Sequence, residues 1–189
     1  MRIISGTARG AKLFTLDSLS TRPTLDRVKE SIFNIINQDI QGTVFLDLFS
    51  GSGAIGLEAA SRGVKRAVLC DKSKDACNII KRNIEKTHLQ EKTVLYNMDF
   101  EKLLCKLEQN GECFDYIYLD PPYKTDYVIK SLELLINLRL IKNNTQIIVE
   151  TDDIEKIIDY INEKFEIIKE RKYGRAVILF LKLKNSQNT

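Results

Sequence analysis

A chain of 189 residues that is 43% hydrophobic and 29% charged has the length of one domain and the make-up of an ordinary globular protein, and it holds no apolar run near the roughly 20 residues a membrane span needs. Its one histidine, His88, and four dispersed cysteines, Cys70, Cys77, Cys105 and Cys113, exclude chemistry built on several histidines and leave no closely paired thiolates for zinc, so no metal is expected. The formal net charge is +3, and residues 1–35 carry Arg2, Arg9, Lys12, Arg22, Arg27 and Lys29 against Asp17, Asp26 and Glu30, so the whole excess sits in that stretch and marks either a polyanion contact or a solvated surface.

In chain order, residues 2–5 and 11–16 read as short strands about the turn-rich GTARG, which predicts a hairpin. MRIISGTARGAK lacks the long apolar core of a secretory signal, so the expected location is the cytoplasm, with free thiols. After the loop SLSTRP, Val28, Ile32, Ile35 and Ile36 recur at helical spacing over 24–37, with Pro23 just ahead. Strand-like runs at 44–48, 66–70, 93–97, 114–119 and 146–150 then alternate with helical patterns at 54–61, 74–86, 100–108 and 127–137. A last helix at 154–162 leads to strands at 165–170 and 176–182, joined by the short turn KYGR. Such alternation predicts an α/β fold with a doubly wound, mostly parallel seven-stranded sheet whose last strand is antiparallel. The expected organisation is an N-terminal hairpin and helix over 1–40, a Rossmann-like domain over 41–184, and a disordered tail at 185–189.

Two stretches carry chemistry. In VFLDLFSGSGAIG, residues 44–56, an apolar strand enters a glycine-rich turn and then a helix. Gly51, Gly53 and Gly56 let the backbone turn sharply, and the amides that open the helix are ready donors. Dinucleotide enzymes share that pattern. Asp47 shifts the reading, because a carboxylate there repels a pyrophosphate but welcomes an amino-acid ammonium or a sulfonium; S-adenosylmethionine is favoured over a nicotinamide dinucleotide. The alternative is that Asp47 caps the turn. Asp71, after the second strand, can accept from ribose hydroxyls or cap the next helix, and Asp99, after the third, can accept from an adenine amine or likewise serve as an N-cap.

The second stretch is LDPPY, residues 119–123, which ends the fourth strand on the same crevice. The lone pair of an exocyclic base amine is spread into the ring, so the nitrogen must become more tetrahedral before it attacks a methyl group. Asp120 and the Pro121 carbonyl supply acceptors for its two N–H bonds, and Pro121 and Pro122 fix the backbone while bringing no N–H of their own. Tyr123 offers a face for an extruded base, worth roughly 1–3 kcal/mol.

RIISGTARGAKL, RPTLDRVKESIFNII, FLDLFSGSGAIGLEAASRG and LDPPY, in that order over nearly the whole chain, resemble the RsmD family of class I, Rossmann-like methyltransferases. The resemblance implies methylation of the exocyclic N2 amine of a guanine in 16S ribosomal RNA (guanine 966 in the usual rRNA numbering), on a small subunit or its assembly intermediate, by a monomer. It implies that Asp47, Gly51 and Gly53 hold the methionine part of S-adenosylmethionine, Asp71 its ribose and Asp99 its adenine, with Phe49 also at the cofactor and S-adenosylhomocysteine as product. Arg22 and Thr24 would border the cofactor, and Arg2, Arg9, Lys12 and Arg27 would meet RNA. Ser50 departs from the alanine common in relatives. Competing readings are an amine of DNA or of a protein glutamine as acceptor, an inactive assembly module, and a nicotinamide oxidoreductase.

Overall fold

The computed structural model describes residues 1–15, 23–36, 40–122 and 125–184. The sequence forms α1 (Pro23–Ile36), β1 (Val44–Asp47), α2 (Ala54–Ser61), β2 (Arg66–Asp71), α3 (Lys74–Thr87), β3 (Thr93–Asn97), α4 (Phe100–Gln109), β4 (Phe114–Leu119), α5 (Tyr127–Asn137), β5 (Ile141–Thr151), α6 (Ile158–Lys164), β6 (Phe165–Tyr173) and β7 (Ala176–Leu183). The seven strands form one sheet in the order β3-β2-β1-β4-β5-β7-β6. The first five run parallel, and β7 is antiparallel to both of its neighbours. This is the expected doubly wound architecture.

The central strands are continuous apolar runs because both faces are covered. On one face Phe45, Tyr116, Tyr118 and Ile148 pack with Val28, Ile32, Phe33 and Ile36 of α1, Leu57 of α2 and Ile80 of α3. On the other, Leu46, Ile117 and Val149 pack with Leu103 of α4, Leu132 of α5 and Ile161 of α6. Each large apolar side chain buried this way contributes about 1.5–3 kcal/mol. Local signals set the helix ends: the Ser73 side chain accepts from the Ala76 N–H at 3.3 Å, Asp99 accepts from the Glu101 N–H at 3.0 Å, and α3 stops at His88 with φ 54°.

The N-terminal hairpin exists in its shortest form, a single antiparallel bridge between Arg2 and Lys12. Its tip is claimed by α2. The N–H groups of Ile4 and Ser5 donate to the Glu58 carboxylate at 2.8 and 3.0 Å, and Ala8 N–H donates to Ser61 Oγ at 2.9 Å. Donors that would have extended a ladder are taken up by side chains. Gly6, at φ +84°, approaches so closely that a Cβ there would lie 1.9 Å from the Ser61 carbonyl oxygen. Several boundaries also differ from the sequence reading, β6 running to Tyr173 rather than 170 among them. β5 starts at Ile141 rather than 146, its polar Lys142–Asn144 stretch being exposed, and α6 starts at Ile158 rather than 154. The expected tail at 185–189 lies outside the described residues.

β1 lies between β2 and β4, so the crossovers on its two sides leave in opposite directions. A crevice opens at the carboxyl ends of these strands.

Candidate active site

A cavity of about 320 Å³ occupies that crevice. Leu48, Phe49 and Gly51 follow β1, Cys70 and Asp71 end β2 with Lys72 just after, Met98, Asp99 and Phe100 follow β3, and Asp120, Pro121 and Pro122 follow β4; Tyr127 of α5 completes the wall. Phe49, Phe100 and Tyr127 form one aromatic cluster, with ring centroids 5.1–6.3 Å apart. Lys72 Nζ stands 5.7 Å from the Tyr127 ring centroid. Three carboxylates and an apolar, aromatic floor therefore share one space suited to a flat heterocycle bearing a polar, partly cationic tail.

The glycine turn is tied down at several points. Gly51 N–H donates to Asp71 Oδ2 at 2.9 Å, while Asp71 Oδ1 accepts from Ser73 N–H at 2.8 Å. Ser50 Oγ donates to the Asp47 carbonyl and accepts from Cys70 N–H, at 2.8 and 3.0 Å; the serine thus adds two bonds that an alanine could not make. Of the glycines, Gly51 (φ +55°) reaches the cavity. Gly53 (φ +80°) and Gly56 lie away from it; the first is left-handed and a Cβ there would come within 3.2 Å of Leu69 and Ile80, and at the second a Cβ would lie 2.7 Å from Leu69.

Asp47 lies behind the wall rather than on it. It is 1% exposed; Oδ2 accepts from Gly56 N–H at 2.9 Å, and Oδ1 is buried with no partner among the described residues. Burial, opposed in part by the Gly56 N–H and reinforced by the Asp71 charge, pushes its carboxyl from the ordinary 3.8 to about 7. Burial likewise pushes the Cys70 thiol up to about 12, so it meets the cavity as a neutral wall. Because the folded state holds the Asp47 proton more tightly than the unfolded chain does, Asp47's contribution is fully present below about pH 4 and is lost as pH rises to about 7. Asp47→Asn should abolish that loss, on the order of 4 kcal/mol at most. The melting temperature of the variant at pH 8 is expected to exceed that of the parent; equal pH dependence in the two proteins would refute the assignment.

The other candidates from the sequence fall as follows. Asp71, Asp99, Asp120, Pro121, Pro122, Phe49 and Gly51 converge on the cavity, whereas Asp47 and Gly53 support it from outside. Arg2, Arg9, Lys12 and Arg27 are exposed. The segment bearing the first three abuts the glycine turn, with Ser52 Oγ donating to Met1 Sδ at 3.8 Å. Fully buried Asn83 also holds the segment there, pairing with both backbone groups of Phe14 and donating to the Ser52 carbonyl at 2.9 Å. Arg22, Tyr123 and the side chain of Thr24 lie outside the described residues. Sequence reasoning missed Lys72, Met98, Phe100 and Tyr127, although three of them stand one residue from a chosen acid.

The family described as "Conserved hypothetical protein 95" matches residues 1–182. The chain is 35% identical to the ribosomal RNA small subunit methyltransferase D of Haemophilus influenzae, over 92% of its own length and 89% of the relative's. The chain belongs to this, the RsmD family. The Escherichia coli ribosomal RNA small subunit methyltransferase D is 29% identical over 93% of this chain and 86% of that one. The solved structure of Escherichia coli yhhF superposes with a TM-score of 0.85 at 28% identity, covering 97% and 98% of the two chains. RsmD-family membership thus accompanies a class I methyltransferase fold whose crevice carries the acids and the D-P-P turn described above.

Proposed function

We propose that the chain transfers a methyl group from S-adenosylmethionine to the exocyclic N2 amine of a guanine in 16S ribosomal RNA. The observation that carries this reading is the meeting of Asp120 and Pro121 with Asp71, Asp99 and Phe49 on a single cavity wall, which brings amine acceptors and cofactor acceptors into one space. The sulfonium supplies an electrophilic methyl group. Asp71 accepts from the ribose hydroxyls and Asp99 from the adenine amine, each retaining acceptor capacity beyond its backbone bonds. The aromatic floor takes the adenine face, and Asp47, whose Oδ1 has no partner among the described residues, balances the positive methionine end from behind the turn. Asp120 and the Pro121 carbonyl orient the amine by its two N–H bonds, while the apolar wall excludes water, so that alignment and electrostatics supply most of the acceleration.

The decisive experiment offers labelled methyl donor to the protein with naked rRNA, small subunits, DNA or protein, and identifies the labelled nucleoside. N2-methylguanosine from rRNA is the expected product; label on adenine, cytosine or glutamine would overturn the reading. We further propose that the small subunit or its assembly intermediate is the substrate, that the monomer acts alone in the cytoplasm, and that the bridge bearing Arg2 and Lys12, together with Arg9 and Arg27, meets RNA phosphates. Reversing Arg2, Arg9 and Lys12 to glutamate should weaken RNA binding by about tenfold or more and flatten its salt dependence by about 0.7–0.9 in log–log slope for each phosphate no longer neutralised. Calorimetric affinity for S-adenosylhomocysteine should stay within about twofold. An unaltered RNA affinity would remove these residues from the interface.

A further inference from the structure

Beside Asp120 stands a second carboxylate that the reaction above does not use. β4 and β5 are parallel, with Tyr118 opposite Ile148 and Leu119 opposite Val149. Continuing that register by one residue brings Asp120 beside Glu150, on the sheet face that also bears Asp47 and Tyr118. Glu150 is 6% exposed, and Tyr118, itself buried, donates its hydroxyl to Glu150 Oε2. Asp120 has no such donor among the described residues. The two acids also face different spaces. Asp120 lines the cavity of the candidate active site, whereas Glu150 lines a neighbouring one of about 320 Å³ that reaches exposed Asp152 and Lys156. Pro121 and Pro122 form the shared partition.

We propose that Asp120 and Glu150 act as one acid pair holding a single proton at rest, with the charge on Glu150, and that Glu150 is a positioning residue which takes this proton when an amine engages Asp120. Two neighbouring carboxylates with little solvent cannot both ionise cheaply, and a phenol donor favours charge on the one it touches. The surroundings point the same way. Burial, then the charges of Glu150, Asp47 and Asp152, push the Asp120 carboxyl well up; burial pushes Glu150 up, with Tyr118 opposing. On α1, which covers this face, Lys29 is engaged by Glu58, with Asp26 in its field; Lys156 is paired with Asp153 at 3.0 Å.

Its part in turnover rests on the amine-methylation reading. The amine lone pair forms the new N–C bond as the S–C bond breaks, and that bond's electron pair goes to sulfur. The surplus proton on nitrogen passes to ionised Asp120, and since Glu150 already holds the first proton, one of the two then leaves to solvent through the second cavity.

The test is a carbon NMR titration of the carboxyl-labelled full chain, free of RNA, in the parent, Glu150→Gln and Tyr118→Phe. Loss of the neighbouring charge should lower the Asp120 midpoint by about one pH unit or more, and loss of the phenol should raise the Glu150 midpoint. An Asp120 midpoint that stays put in Glu150→Gln overturns the pair; should that variant not fold, an unmoved Glu150 midpoint in Tyr118→Phe does so. The acid limb of kcat/KM for methylation of small subunits should move down in Glu150→Gln with the NMR midpoint, and an unmoved limb overturns the role in turnover. If the parent methylates no guanine, the amine reading fails while the titration still judges the pair.

Discussion

Asp120→Ala is expected to lower methyl transfer by about 100- to 1,000-fold while raising the melting temperature. The two effects share one cause. Asp120 is held among Asp47, Glu150 and Asp152, all acids, in partly dry surroundings that push its carboxyl well up, so at neutral pH folding must draw a proton onto it, a cost retained for what the group does to a substrate. Alanine removes the acceptor for one amine N–H and relieves that cost together. Affinity for S-adenosylhomocysteine should hold within a few-fold, because Asp71, Asp99 and the Phe49–Phe100–Tyr127 cluster are untouched. Asp120→Asn, which keeps an oxygen acceptor, should retain more activity than alanine. Near-parental turnover of the alanine variant, measured as label incorporated into small subunits, would defeat the mechanism, and a fall in melting temperature would defeat the account of its cost.

The largest effect on stability is expected from Glu58→Ala. Glu58 is fully buried and accepts from Ile4 N–H, Ser5 N–H, Arg62 Nε at 2.8 Å and Lys29 Nζ at 3.2 Å. Lys29 is 1% exposed, and burial already pulls its ammonium down from the usual lysine range. Deleting the carboxylate strands a buried cation and two backbone donors, which costs about 3–5 kcal/mol, or roughly 10 °C in melting temperature for a chain of this size. The N-terminal segment should come loose first, seen as faster hydrogen exchange at Ile4 and Ser5 and as early proteolysis. A melting temperature within about 2 °C of the parent would show that the clasp carries little of the fold.

The sequence is informative where cause and effect are local. Strand–helix alternation, the cap at Asp99 and the turn at Gly51 depend on neighbours a few residues away, and they appear where the pattern placed them; the cap of α3 falls on Ser73, two residues past the Asp71 that the pattern offered. Glu58 illustrates the opposite case. In GLEAAS it reads as an ordinary helical glutamate, and its partners, Ile4 and Ser5, lie more than fifty residues earlier. Glu150 is similar: nothing in IIVETDD announces that the next strand over ends in an acid at the same height. Asp47 was legible as a special carboxylate, but not as one set behind the wall, because its depth depends on how Gly53 and Gly56 let the turn close upon Leu69 and Ile80. Lys72 and Tyr127 reach the cavity through loop and helix placement that no periodicity encodes.

β7 follows β6 along the chain, yet it lies between β5 and β6, and Ile178 is the register partner of Glu150. While the protein is being made, β6 has no strand to join and β5 presents a bare edge until residues 176–183 have emerged. A nascent chain thus carries an unpaired, aggregation-prone border from the completion of β5 until that of β7, and the strand that pairs the far side of Glu150 is the last to be laid down. Glu150 is set beside Asp120 by β4, but it stays on an open edge until β7 closes the sheet, so the acid pair is fully enclosed only when the final strand is in place.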